Sequence, residues 1–228
     1  MILRRVIEHV RNQNWTAVAL DFVIVVVGVL LAMQISNWNE ANAAGRQRGL
    51  IVEALINDIS DHIEVQNRFI ARIDQEIAEW ADAYADGARP APAFFRIDGS
   101  DAAPDTWGTL RQMPVAALFD PTTVVMLAYY YSEIDGLSER YIRYVRFVET
   151  EVLPNLHEGG EDFYGDNGVI KPRFAANMDR LAEHREELAR ITAWAECLVG
   201  ELKREGRLDA TCSRASFRLD TPRTEADE

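Results

Sequence analysis

The sequence is poor in the features that mark disulfide-built, nucleic-acid-binding and β-sheet proteins. Its 228 residues include two cysteines, too few for a fold built on disulfides. Asp and Glu outnumber Lys and Arg by 37 to 24. The resulting net charge of −13 argues against nucleic acid as a partner, because phosphate backbones need clustered basic residues. No long stretch alternates apolar and polar residues as a strand does, so we predict an all-α protein.

Motifs for catalysis are also lacking. Ser, Cys and His show no recognisable nucleophile motif, and no glycine-rich phosphate loop is present. An acidic, glycine-rich loop over residues 157–168 has oxygen ligands but not the spacing of a calcium loop. His184 lies on the apolar seam of a predicted helix, which indicates a core or boundary position. We therefore predict a non-enzymatic protein with no cofactor and no bound metal.

One long apolar run lies near the start of the chain, between Trp15 and Trp38, and within residues 17–35 only Asp21 and Gln34 interrupt it. A helix of about 20 apolar residues is about 30 Å long, the thickness of the hydrocarbon core of a bilayer. Tryptophans are enriched at the two membrane–water interfaces, where these two would lie. We predict a transmembrane helix over residues 16–38.

The charges before this run predict its orientation. Arg4, Arg5 and Arg11 outnumber Glu8, so the positive-inside rule favours a cytoplasmic N-terminus. Residues 1–15 are predicted to form a short cytoplasmic amphipathic segment, and the rest of the chain is then exported.

A cleaved signal peptide is the alternative. Ala41, Asn42 and Ala43 resemble a small-residue cleavage site. The apolar run, however, exceeds the usual signal-peptide core of about 7–15 residues, which favours a retained anchor.

After the span, apolar residues recur at steps of three and four, which predicts a long amphipathic helix. Its seam consists of Val52, Ile56, Ile59, Ile63, Gln66, Ile70, Ile73, Ile77 and Trp80. Leu50, Leu55 and Phe69 widen the stripe. A wide stripe favours a helix within a bundle over an intermolecular coiled coil, although the heptad spacing allows both.

Two further long helices complete the predicted bundle. One begins at Asp120-Pro121, an acidic cap followed by proline, and ends at Pro154. The other spans about residues 173–204. Residues 39–206 are thus predicted to form an extracytoplasmic helical bundle of about three long helices plus short ones, and residues 207–228 a polar, disordered tail.

The two cysteines, Cys197 and Cys212, are able to pair in an oxidising compartment. A loop of about 15 residues closed in this way contributes about 3 kcal/mol by the chain-entropy estimate. The alternative is two unpaired thiols, because sequence alone does not establish the required geometry.

One face of the predicted span carries small and polar residues. Asp21, Val25, Gly28, Ala32 and Ser36 follow one another at steps of three and four. Small residues four apart let two membrane helices approach closely, so this face is a candidate contact with a second copy or another membrane protein. The alternative is that Asp21 lies hydrated among the headgroups and that Gly28 is incidental.

The residues around the end of the span resemble a family of uncharacterised bacterial envelope proteins, a domain of unknown function. The resemblance depends on Asp21, on the stretch G-V-L-L-A-M-Q-I over residues 28–35, and on the interface signature Asn37, Trp38, Asn39 and Glu40. Weaker similarities follow at Thr109-Leu110, within Tyr129–Tyr131 and at Leu153-Pro154. We expect the interface signature to have a structural role rather than a binding role.

The resemblance implies a single-pass membrane protein with a helical domain outside the cytoplasm; it implies no activity. With the cytoplasmic N-terminus favoured by the charges, we predict a protein of the bacterial inner membrane with a periplasmic domain. The lipid bilayer is then one partner, and a homo-oligomer or a membrane-protein partner at the span is the other. The predicted function is an interaction or scaffold component of an envelope complex. The alternative is a periplasmic ligand-sensing module with a membrane partner. One predicted helix carries five tyrosines that are able to line a pocket between helices: Tyr129, Tyr130, Tyr131, Tyr141 and Tyr144. Such tyrosines more often pack at the boundary of the core, with a buried ring and a hydrated hydroxyl.

Overall fold

The computed structural model describes residues 15–97, 106–113, 115–158 and 161–213. The predicted cytoplasmic segment therefore lies outside the described residues except for its last residue, and so does most of the predicted tail. Asp105, which by its residue type is a candidate cap for a short helix around residues 107–113, lies outside them as well.

Helices make up almost all of the described residues, and these residues contain no β-strand, so the predicted all-α class is confirmed. Five are α-helices: α1 (Trp15–Ala85), α2 (Thr106–Leu110), α3 (Val115–Leu118), α4 (Pro121–Phe147) and α5 (Pro172–Glu205). Between α4 and α5 come a π-helix (Val148–Val152) and two 3-10 turns (Leu153–Glu158 and Glu161–Phe163), and a last 3-10 turn (Ala210–Cys212) follows α5.

The chain divides into two compact units, Met1–Arg48 and Gly49–Glu228. The first unit contributes the apolar part of α1, and its described side chains are exposed at all but two positions, both outside the apolar run. The second unit contains the remainder of α1 and all other helices. Its start at Gly49 lies ten residues after the boundary predicted from the end of the span.

The core of the second unit includes one buried stripe of α1. The buried apolar residues of this stripe are Ile51, Leu55, Ile59, Phe69 and Ile73. The stripe is centred on Leu55 and Phe69, which the sequence pattern placed at its margin. The prediction for Leu50 was wrong, because Leu50 is exposed and the neighbouring Ile51 is buried in its place.

The start of α4 follows from its sequence. Pro121 occupies the first turn, and the Asp120 carboxylate caps the helix by accepting a hydrogen bond from the Thr123 backbone N–H at 3.0 Å. The end differs from the prediction, because α4 ends at Phe147 and the chain continues as the π-helix and a 3-10 turn. Pro154 lies near the start of that turn, where its missing N–H is tolerated.

The bundle extends past the boundary predicted at residue 206. Gly206 caps the end of α5, and its positive φ of 64° suits a residue without a Cβ. Beyond it, Leu208 and Cys212 are buried in the core. Residues 207–213 therefore belong to the folded unit rather than to a disordered tail, because an apolar side chain and a disulfide hold them there.

Candidate functional site

The candidate contact face of the span is continuous and uncovered in the structure. Asp21, Val25, Gly28, Ala32 and Ser36 all lie within α1, and all are exposed. A Cβ added at Gly28 would meet no atom within 4 Å. The spacing of these residues keeps them on one side of the helix, since residues three and four apart are neighbours. The described chain itself therefore leaves this face accessible to a partner helix.

The interface signature lies inside α1 rather than at a break in it. Asn37, Trp38, Asn39 and Glu40 are helical and exposed, and the Trp38 side chain is 66% exposed. Ser36 Oγ donates a hydrogen bond to Glu40 Oε1 at 3.3 Å, which links the contact face to the signature one turn later. The helix continues through this region without a break.

Cys197 and Cys212 form a disulfide between α5 and the segment that follows it, with their Cα atoms 5.7 Å apart. The segment has other ties to α5. Trp194 Nε1 donates to the Cys212 carbonyl at 2.7 Å, and the Glu201 carboxylate accepts from the Asp209 N–H at 2.9 Å and from the Thr211 hydroxyl. The sulfurs lie close to Glu201, but bonded to each other they are not metal ligands.

A layer of polar side chains crosses the core between α1, α4 and α5. Asp58, His62 and Gln66 follow at steps of four along α1. The Tyr131 hydroxyl donates to Asp58 Oδ2 at 2.6 Å, and the Thr192 hydroxyl donates to Gln66 Oε1 at 2.9 Å. Burial and the bond to Asp58 raise the pKa of Tyr131 well above its ordinary value, so Tyr131 remains a donor at neutral pH.

Replacing Tyr131 by Phe should destabilise the bundle by about 1–3 kcal/mol, because the Asp58 carboxylate would lose a hydrogen bond that it cannot replace. Asp58 is 8% exposed, so water does not readily take the place of the hydroxyl. The matched control is Tyr129→Phe on the same helix, where the side chain is 52% exposed and the expected change is within about 0.5 kcal/mol. Urea unfolding measures the free energy of unfolding of both variants. Equal changes would show that the hydrogen bond from Tyr131 to Asp58 does not contribute to stability.

A groove of about 390 Å³ lies between α4 and α5, and we call it the arginine groove. α4 contributes Arg140, Tyr141, Arg143 and Tyr144, and α5 contributes Arg180, Glu183, His184 and Glu187. Arg140 Nε donates to Glu187 Oε2 at 3.0 Å across the groove. Arg143 and Arg180 are exposed, and within the described residues neither makes an ion pair.

Aromatic rings form one wall of the arginine groove. The Tyr141 and His184 rings stack with centroids 5.1 Å apart. Burial, and secondarily the charge of Arg140, lower the pKa of His184 to about 4, so the imidazole is neutral at pH 7. The predicted core or boundary position of His184 agrees with its burial.

The hydroxyls of the two groove tyrosines hold the chain that follows α1. Tyr144 Oη accepts from the Phe95 N–H at 3.2 Å, and Tyr141 Oη accepts from the Ile97 N–H at 2.8 Å. Phe95 itself is buried. The tyrosines therefore combine two roles, because their rings line the groove while their hydroxyls satisfy the backbone of a loop.

Asn177 is a buried polar residue on α5 that the sequence pattern did not reveal. It is 1% exposed, and neither atom of its amide has a hydrogen-bond partner among the described residues. Burial raises the pKa of the nearby Tyr144 hydroxyl, and the Asn177 amide lowers it by a smaller amount.

Of the five tyrosines that the sequence offered for a pocket between helices, Tyr141 and Tyr144 line the arginine groove. Tyr130 and Tyr131 are instead buried in the core, and Tyr129 is exposed. Sequence reasoning missed the three groove arginines. Arg140 and Arg143 lie next to the two tyrosines along α4, which was the available signal. Arg180 comes from α5, and its approach depends on how the two helices align, which no local pattern gives.

Comparison with known proteins extends this description to one segment. Residues 21–86 match the model of a family of unknown function, DUF6090. The match includes the contact face, the interface signature and the α1 stripe, but less than a third of the chain. The weaker similarities at Thr109, at Tyr129–Tyr131 and at Leu153 lie outside it. No curated protein and no solved structure matches the chain.

Proposed function

We propose that this chain is a single-pass protein of the bacterial inner membrane, with a cytoplasmic N-terminus and a periplasmic helical bundle. Its proposed role is non-enzymatic, as an interaction or scaffold component of an envelope complex. The observation that carries the proposal is α1, the one helix of the described residues long and apolar enough to cross a membrane. None of its apolar window is buried inside the protein, so a bilayer is the natural environment for these side chains.

The disulfide supports the proposed side of the membrane. Disulfides persist in oxidising compartments such as the periplasm and are rare in the cytosol. The arginines before the span favour the same orientation by the positive-inside rule.

Fusing a reporter at the C-terminus tests this orientation. A reporter that becomes fluorescent only in the cytoplasm should stay dark, and a phosphatase that is active only in the periplasm should be active. The opposite pair of results would contradict the proposed orientation, and a full-length chain in the soluble fraction would contradict the anchor itself.

The contact face supports an interaction role. In a bilayer, helices associate through close backbone packing, which a glycine and an alanine four residues apart permit. Gly28 and Ala32 provide this pair, and Asp21 on the same face gains from a partner that shields it from lipid.

Gly28→Leu and Asp21→Leu should each reduce cross-linking of the protein to its membrane partner by about tenfold, equivalent to about 1.4 kcal/mol. The experiment is chemical cross-linking in native membranes followed by mass spectrometry of the products. Val23→Leu is the matched control, because residue 23 faces the opposite side of α1. If neither variant on the contact face reduces the cross-linked product relative to Val23→Leu, this face is not the interface.

A second candidate function is a periplasmic ligand-sensing module that acts through a membrane partner. The arginine groove favours it, because its volume falls within the range of about 300–1,000 Å³ that small-molecule sites occupy. The two functions differ in a measurable way. A scaffold has a stable protein partner without added ligand, whereas a sensor is stabilised by a small molecule in the absence of any partner.

A further inference from the structure

The arginine groove contains two cationic side chains that the protein does not neutralise. Arg143 comes from α4 and Arg180 from α5, and within the described residues neither makes a hydrogen bond or an ion pair with its side chain. The positive charges of Arg143 and Arg180 repel each other within the groove. The chain has a net charge of −13, so it is rich in acidic side chains, but none of those described pairs with these two arginines. An anion bound between the two guanidinium groups removes this repulsion.

The acidic residues of the groove leave these two arginines available. Glu187 is already paired with Arg140 at 3.0 Å. Glu183 lines the groove and makes no ion pair within the described part of the chain. The negative charge of Glu183 therefore opposes the binding of an anion, but Glu183 does not pair with either arginine.

The remaining lining suits an organic group rather than a bare ion. The stacked Tyr141 and His184 rings form an aromatic wall beside the arginines. Tyr141 is half-buried, and because its hydroxyl binds the backbone at Ile97, it presents mainly its ring to the groove. Guanidinium groups form paired hydrogen bonds with phosphate oxygens, and aromatic rings pack against flat apolar bodies.

We propose that the arginine groove binds a phosphate monoester, whose phosphate lies between Arg143 and Arg180 and whose organic part packs on the Tyr141–His184 wall. This inference names the ligand class for the second candidate function and rests on it. It needs no membrane partner, so it is tested separately from the interaction role.

Isothermal titration calorimetry of the full-length protein in uncharged detergent micelles, with phenyl phosphate as the probe, tests the proposal. Arg143→Gln and Arg180→Gln should each weaken binding about tenfold, and the double variant should abolish it. Glu183→Gln should tighten binding, because it removes the opposing charge. Arg111→Gln is the matched control, since Arg111 is exposed, loses the same charge and does not line the groove.

Further probes separate the parts of the proposal and the source of the ligand. Inorganic phosphate should bind more weakly than phenyl phosphate, and equal affinities would overturn the aromatic wall. Equal affinity for benzoate would overturn the assignment to phosphate. If phosphatidic acid in the micelles competes with phenyl phosphate, the natural ligand is a lipid headgroup. If phosphatidic acid does not compete, the natural ligand is a free metabolite. No binding of phenyl phosphate, or binding unchanged in the double variant, overturns the site.

Ligand binding at the arginine groove is also tested separately from association through the contact face of the span. Gly28→Leu should leave phenyl phosphate binding unchanged, because the residues of the groove all belong to the second compact unit. Loss of the cross-linked partner together with intact phosphate binding would remove the scaffold role and retain the ligand site.

Discussion

Replacing both Cys197 and Cys212 by alanine is expected to lower the free energy of unfolding of the bundle by about 3 kcal/mol. The two residues are 15 positions apart, and the disulfide restricts the unfolded chain over that loop. Urea unfolding of the oxidised protein, followed by circular dichroism, measures the change. For a domain of ordinary stability, about 5–15 kcal/mol, this is a large share of the total.

The reduced wild-type protein provides the matched control. Adding dithiothreitol should destabilise the wild type by about as much as the double substitution does, and it should leave the alanine variant unchanged. Intact mass measurement should find the untreated wild type lighter by two hydrogen atoms than the reduced form. A wild type that has two free thiols after purification from the periplasm would contradict the disulfide.

The local consequence of losing the disulfide should be largest after Gly206. The Leu208 N–H donates to the Thr123 hydroxyl at 2.9 Å, which joins the segment after α5 to the first turn of α4. Thr123 Oγ1 in turn donates to the Asp120 cap at 2.7 Å. Hydrogen exchange is therefore expected to rise in residues 207–213 before it rises elsewhere in the bundle, because without the disulfide this segment is held by hydrogen bonds and by the buried Leu208 side chain.

Local sequence signals predicted the long helices well. The Asp120-Pro121 start of α4 was predictable because a capping carboxylate and a proline both act within one turn. α5 was predicted over about residues 173–204 and is observed over Pro172–Glu205, since Gly206 ends it by its own conformation. Such signals need no knowledge of the partner helices.

Features that depend on which helices meet were not predictable from the pattern. Asp58 is a charged residue in the core only because Tyr131, 73 residues later, supplies its donor. Which of Leu50 and Ile51 is buried depends on the rotation of α1 against its neighbours, and a heptad pattern does not fix that rotation to one residue. Arg180 reaches the groove for the same reason, through the alignment of α4 and α5.

Two arginines in the middle of the span should prevent stable membrane insertion. Val27 and Leu31 lie near the centre of residues 16–38 and are exposed, so in a bilayer their replacements would face lipid or a partner helix. An arginine at the centre of a membrane helix costs about 2.5–3.5 kcal/mol on the insertion scale, and Val27→Arg with Leu31→Arg therefore costs about 5–7 kcal/mol. Alkaline carbonate extraction of membranes measures the outcome, with the double variant expected in the extract or degraded.

The matched control places the same chemical change outside the span. Val125 and Ile142 are exposed apolar residues of α4, so Val125→Arg with Ile142→Arg adds two charges to a surface that already contacts water. This control should remain in the membrane pellet like the wild type, because only the desolvation of charge in hydrocarbon opposes insertion. A span variant that also stays in the pellet would contradict the proposed anchor. The described residues include no other helix long and apolar enough to cross the bilayer, so something other than a membrane span would then hold the protein there.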